Sequence, residues 1–207
     1  YNTMRTLTAT AGTGSAFTGW SGSCTGTGTC QVTMSATRSV TAQFDLATNI
    51  SIVIGGVTRG TYTVALGSSQ RVNYDGLDSG PVVVNSTDAT QIIAAIRDAW
   101  VPQGQPATTS FAQLMGLPAT QLSDTYYFPA YNNVTLNEQL RIGNVGSGDT
   151  VVTVTIGGVV RGTYPLSPSE QVRVNYAGLD SGPVVVASSG GVKIIAALRD
   201  AWKPQGE

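Results

Sequence analysis

The sequence predicts an all-β protein: a small β-module followed by two tandem antiparallel β-sandwich (Ig-like) repeats, the first lacking its upstream strands. Three observations carry this. Short runs rich in β-branched residues recur between turns marked by Gly and Pro. A 56-residue block occurs twice, residues 50–105 aligning without a gap onto 152–207 with 33 of 56 positions identical. Charged residues make up only 11% of the chain, and Thr, Ser, Gly, Asn and Gln take their place. Water is therefore met by hydroxyls and amides, a habit of secreted β-proteins.

The duplication is sharpest where VNYDGLDSGPVVV at 72–84 returns as VNYAGLDSGPVVV at 174–186. A repeat period of about 100 residues is too long for a solenoid and suits an array of whole domains. Within each copy, ISIVI and VTVTI read as strands, followed by Gly55-Gly56 and Gly157-Gly158. Paired glycines reach the positive φ angles of a tight hairpin turn. The return strands are VTRGTY and VVRGTY, then RVNY, the GLDSGP turn and PVVV. Asp78 and Asp180 read as turn residues that bond nearby backbone amides. The closing segments IIAAIRDAW and IIAALRDAW are short and follow β runs, so they read as strands despite helix-forming Ala, Leu and Arg.

The second copy has two further strands upstream, TYYFPAY at 125–131 and NEQLRIGNV at 137–145. That makes about seven strands, the count of an antiparallel sandwich. The first copy has no such pair, which leaves an open edge and core unless something fills them. In the linker 108–124, Phe111, Leu114 and Met115 fall at helical spacing, so one or two helical turns are expected, bounded by Pro118. Residues 1–45 alternate apolar and polar around Leu7-Ala9-Ala11, Val32-Met34 and Val40-Ala42-Phe44, with Phe17 and Trp20 as large anchors. The expected domains are therefore 1–45, an incomplete repeat over 46–105, and 106–207 with the linker at its start.

Composition argues against most chemistry. The chain has no histidine, which removes the commonest general base and metal ligand. Lysine occurs only at Lys193 and Lys203, and the first copy carries Gln91 where the second has Lys193, so a lysine cross-link cannot belong to both. A net charge of −1 with no basic cluster gives no electrostatic case for nucleic acid or anionic membrane. No apolar run approaches the roughly 20 residues of a membrane span. Cys24 and Cys30 are separated by Thr and Gly at a spacing a hairpin closes into a disulfide, the alternative being two free thiols. A disulfide favours an oxidising compartment.

Two stretches carry a resemblance. AFTGWSGSCTGTGTCQVTMSATRSVTAQF resembles the second half of a divergent internalin-B-type repeat, with GWSG, a cysteine pair, VTM and SVTA-F. FAQLMGLPATQLSDTYYFPAYNN, LRIGNV, GGVVRGTY, VNYAGLDSGPVVV and IIAALRDAW are similar to tandem β-sandwich repeats of large bacterial cell-surface and S-layer-like proteins. The resemblance implies an exported, multidomain surface protein. Two accounts of the missing front strands stay open: a fragment of a longer repetitive protein, or a module completed by a strand from a neighbouring subunit.

Each candidate site has a plainer reading beside it. Trp100 and Trp202, each after Arg-Asp-Ala, would suit sugar stacking, but adjacent strand residues face opposite ways, so Arg and Asp do not converge on one ligand. Tyr126, Tyr127 and Tyr131, with Phe128, form the densest aromatic cluster, suited to a carbohydrate or subunit contact. Period-2 alternation would instead bury Tyr127 or Phe128. Asp75-Gly-Leu-Asp78 hints at calcium, yet Ala177 replaces Asp75 in the second copy and the loop spacing is absent, so no metal is expected. Asn49, Asn85 and Asn133 head N-x-S/T sequons and are candidate glycan acceptors. The expectation is a non-enzymatic, extracellular structural protein without cofactors, a subunit of a surface filament, stalk or coat that self-associates head-to-tail through strand edges. The alternative is an adhesin or carbohydrate-binding accessory module of a larger secreted protein, and a third reading is a non-catalytic part of a secreted hydrolase.

Overall fold

The computed structural model describes residues 2–100 and 110–201. It is built almost entirely of antiparallel strands and forms two compact units. The first comprises Tyr1–Ile52, Arg59–Asp75 and Val84–Ile92; the second comprises Val53–Thr58, Gly76–Val83 and Ile93–Glu207.

The chain opens with β1 (Thr3–Leu7), β2 (Ser15–Gly22), β3 (Cys30–Met34) and the long β4 (Val40–Ile54). β1 and β3 make a two-stranded ribbon running from Thr3 opposite Met34 to Leu7 opposite Cys30. β2 pairs with the first half of β4, from Ser15 opposite Leu46 to Gly22 opposite Val40. β4 continues to pair with β5 (Val57–Ala65) and β6 (Val82–Ser86). The expected boundary after residue 45 thus falls inside one unbroken strand, because the ladder of β4 passes from one partner to the next without a turn. β7 (Ala95–Trp100) and β8 (Ser110–Met115) pair with each other, from Ala95 opposite Met115 to Trp100 opposite Ser110. This corrects the helical turns expected around Phe111, Leu114 and Met115: backbone pairing with β7 satisfies that segment as a strand. Among the described residues of the linker, helical geometry is limited to a 3-10 turn at Ala119–Gln121, just after Pro118.

The second copy supplies β9 (Thr125–Phe128), β10 (Tyr131–Asn132), β11 (Gln139–Asn144), β12 (Thr150–Ile156), β13 (Val159–Leu166), β14 (Gln171–Val174), β15 (Asp180–Ser181), β16 (Val184–Ser188) and β17 (Ile194–Arg199). They order into a four-stranded sheet, β13-β12-β16-β9, and a three-stranded sheet, β14-β11-β17, with β10 and β15 as a short extra pair. One core joins the two sheets. Val152, Val154 and Ile156 from β12, Val184 and Val186 from β16, Leu140 and Ile142 from β11 and Ile194 from β17 are all buried in it. These residues alternate along their strands, so one face of each sheet is apolar and the pleat sets the register. Each such side chain contributes about 1.5–3 kcal/mol by leaving water.

The glycine pairs do what their sequence implies. Gly55 and Gly56 have φ +57° and +76°, and Gly157 and Gly158 have φ +61° and +76°. Only a residue without a Cβ takes that conformation at no cost. At Gly157 a Cβ would also collide with the Ser181 hydroxyl, which ties the hairpin tip to the GLDSGP turn. The repeated RGTY…VNY pattern has a similar cause. Gly162 lies under the ring of Tyr164, where an added Cβ would stand 2.7 Å from Cζ, and the Tyr164 hydroxyl meets that of Tyr176 at 3.0 Å. Tyr62 and Tyr74 make the same pair at 3.1 Å.

The first copy departs from the second in three ways. Its RVNY segment at 71–74 is not a strand, whereas Gln171–Val174 is. It contributes β4, β5 and β6 to one sheet, and among the described residues its β7 pairs only with β8, whereas the counterpart β17 lies in the three-stranded sheet β14-β11-β17. The Asp78 carboxylate forms a salt bridge with Arg173, and the Asp180 backbone pairs with Asn132. Ile156→Ala should therefore destabilise the second copy by about 2–5 kcal/mol, while Val82→Ala, already in water, should cost less than about 1 kcal/mol. Urea unfolding of the two variants checks the contrast.

Candidate functional site

In the first unit the anchor is Trp20. Its ring packs edge-on against Phe17 at 5.1 Å, and Phe17 contacts Phe44 at 5.5 Å. The Trp20 backbone N–H donates to Gly26 O at 2.8 Å, and its indole Nε1–H donates to Gly28 O at 2.8 Å. The Thr/Gly loop is thereby folded back onto the tryptophan. Cys24 and Cys30 close that loop as a disulfide with Cα atoms 5.9 Å apart. Gly22 permits the entry: its φ is +95°, and a Cβ there would stand 2.5 Å from Ser39 O.

A polar staple lies in the same unit. The Asp88 carboxylate accepts from Thr48 Oγ1 at 2.5 Å, Ser86 Oγ at 2.8 Å and the Thr90 backbone N–H at 3.2 Å. These bonds hold its pKa well below the ordinary carboxylate range, the Thr48 hydroxyl contributing most. They link β4 to the end of β6.

The aromatic cluster of the second copy is divided by the pleat. Tyr131 is wholly buried, donates its hydroxyl to Glu138 O at 2.9 Å and accepts from the Tyr176 N–H at 2.8 Å. Tyr126 donates to Ile194 O at 3.0 Å and, with Phe128, packs on the core. Tyr127 alone of the cluster faces out, 73% exposed. Tyr126 and Tyr131 are thus removed from the candidate contact surface, because their rings and hydroxyls complete the core. Phe128 is the residue of the expected pair that turns inward.

Beside Tyr131 sits a group that sequence reasoning missed. Glu138 is buried, and its Oε2 accepts from the Asn132 N–H at 2.6 Å. Burial pushes its pKa up, and the neighbouring Asp200 and Asp180 carboxylates add to the shift. A buried acid ahead of an apolar strand carries no pattern in sequence, and its neighbours are distant along the chain. Among the described residues no cluster of His, Cys, Asp and Glu could hold a metal ion.

The sequon asparagines divide as well. Asn49 and Asn85 are exposed on β4 and β6. Asn133 is 2% exposed and its Nδ2 donates to Glu138 O at 2.9 Å, so it is corrected as a glycan acceptor of the folded domain. Trp202 lies outside the described residues. Trp100 ends β7, paired opposite Ser110.

The largest difference between the copies is one of exposure. Val184 and Ile194 are fully buried, whereas their identical counterparts Val82 and Ile92 are 39% and 37% exposed. Ile93 is 88% exposed. In the second copy, β9 pairs with the outer edge of β16, Phe128 opposite Val184 and Tyr126 opposite Val186. In the first copy β6 pairs with β4, and no strand equivalent to β9 lies on its other edge among the described residues.

Residues 1–48 match the divergent InlB B-repeat domain family. No curated protein and no solved structure matches the chain. The family match covers the module that carries GWSG and the disulfide, and it suggests a bacterial surface-associated protein. No described helix is long and apolar enough to cross a membrane.

Two outcomes follow from this geometry. Cys24→Ser should destabilise the first unit by about 2 kcal/mol through the freed loop, with a smaller effect in wild type that is already reduced, read by differential scanning calorimetry with and without reductant. Glu138 has a folded pKa above its unfolded one, so its contribution is present at acid pH and is lost as pH rises through the raised value. Glu138→Gln should therefore flatten the decline of Tm between the usual carboxylate range and neutral pH.

Proposed function

We propose that this chain is a non-enzymatic extracellular structural protein, a subunit of a bacterial surface stalk, coat or filament whose Ig-like repeats associate through strand edges. One observation carries the reading. The described groups that chemistry would recruit are engaged in holding the fold: Tyr126, Tyr131 and Tyr176 hydroxyls, the Asp88 carboxylate and Glu138 all bond within the chain. Exposed strand edge and apolar face are the features this reading offers a partner. The duplicated block supports the same reading, since a structural array gains from a second copy where a catalyst seldom does.

The family match at residues 1–48 and the disulfide favour a cell-surface or extracellular setting. The two-sheet arrangement of the second copy, with a single core between four and three strands, supports the Ig-like and S-layer-like resemblance. A carbohydrate platform is less favoured, because Tyr126 and Phe128 lie on the opposite face of β9 from Tyr127.

Electron microscopy of material taken from the native cell surface tests this. Regular filaments or a lattice containing the chain are the expected result. Dispersed, non-associating particles across a concentration series would sink the assembly reading.

A further inference from the structure

We propose that the free edge of β6 is an acceptor for an extended strand supplied in trans, and that its occupant has the chemistry of residues 122–131, LSDTYYFPAY. This rests on the assembly reading above and names the contact. The argument is internal to the chain. Val82-Val83-Val84 and Val184-Val185-Val186 are the same tripeptide in the same repeat context. In the second copy the tripeptide is flanked on one side by β12 and on the other by β9. The β9 strand brings Phe128 opposite Val184, Tyr127 opposite Val185 and Tyr126 opposite Val186. Both Val184 and Val186 are then fully buried.

In the first copy the inner partner is present, as β4, and among the described residues the outer one is not. The positions that would supply it in cis, 102 residues before β9 and the segment that follows it, hold SGSCTGTGTCQV. Those residues are already engaged at the end of β2, in the disulfide loop and in β3. The equivalent positions are thus taken, and a strand supplied in trans would fill the edge. Its chemistry follows from the register. An occupant antiparallel to β6 places an aromatic residue opposite Val82 and another opposite Val84, with the residue between them facing water. Main-chain pairing supplies affinity and the two inward aromatics supply selectivity. The edge left open is otherwise a row of unpaired amides and carbonyls beside exposed valine, which natural sheets cover or charge. β6 carries no charged residue over Val82–Ser86.

The test uses the full 207-residue protein and a fluorescein-labelled peptide of residues 122–131. Fluorescence anisotropy should show saturable binding. Amide hydrogen exchange should slow at Val82–Ser86 and stay unchanged at Val184–Ser188. Peptides with Tyr126→Asp or Phe128→Asp should bind about tenfold or more weakly, since each would place a carboxylate against apolar surface, while Tyr127→Asp should change affinity by less than about threefold. Absence of saturable binding would overturn the proposal. So would protection appearing at Val184–Ser188, which marks displacement of the chain's own β9, or a loss for Tyr127→Asp equal to that for Phe128→Asp. Peptide binding at β6 without filaments on the cell would keep the acceptor and remove the assembly reading; filaments without peptide binding would do the reverse.

Discussion

Burial of alternate valines and isoleucines between two sheets is the constraint on which the second copy depends. Val152, Val154 and Ile156 on β12 and Val184 and Val186 on β16 leave water only because β11 and β17 close over them from the facing sheet. Hydrogen bonding within a sheet satisfies the backbone but leaves each face half in water. The facing sheet turns those strands into a core. Tyr131 completes it from the loop side, with its ring on Tyr176 at 5.7 Å and its hydroxyl bonded at both ends.

The first copy shows the same sequence without that closure. Its hairpin, its glycine pair and its tyrosine hydroxyl pair repeat those of the second copy, because these are local devices set by residues close together in the chain. Ile52 and Ile54 are buried as Val154 and Ile156 are, but Val82 and Ile92 do not repeat the burial of Val184 and Ile194, because among the described residues no strand like β9 lies beside β6. Identical residues thus sit in core in one copy and at the surface in the other.

The first module solves a different problem by different means. It is too small and too Gly/Thr-rich to bury much, and its stability leans on Trp20, the Phe17–Phe44 contact and the disulfide. Its last strand, β4, passes directly into the first copy.

The all-β class, the hairpin glycines, the disulfide and most strand positions were legible in the sequence, because each follows from local periodicity, turn chemistry or spacing. Strand identity at IIAALRD was legible for the same reason. The segment around Phe111 was not: three apolar residues at helical spacing became β8, because pairing with β7 decides conformation where propensity is weak. The fate of the tyrosines was decided by the pleat, which sends Tyr126 and Phe128 inward and Tyr127 outward. Glu138 and Asp88 took their roles from neighbours far along the chain. What the sequence by itself determined is the set of strands and turns, written twice. Only the tertiary structure decided which of the repeated residues are buried, because Val184 and Ile194 are covered by packing against strands distant in sequence, while the identical Val82 and Ile92 stay exposed.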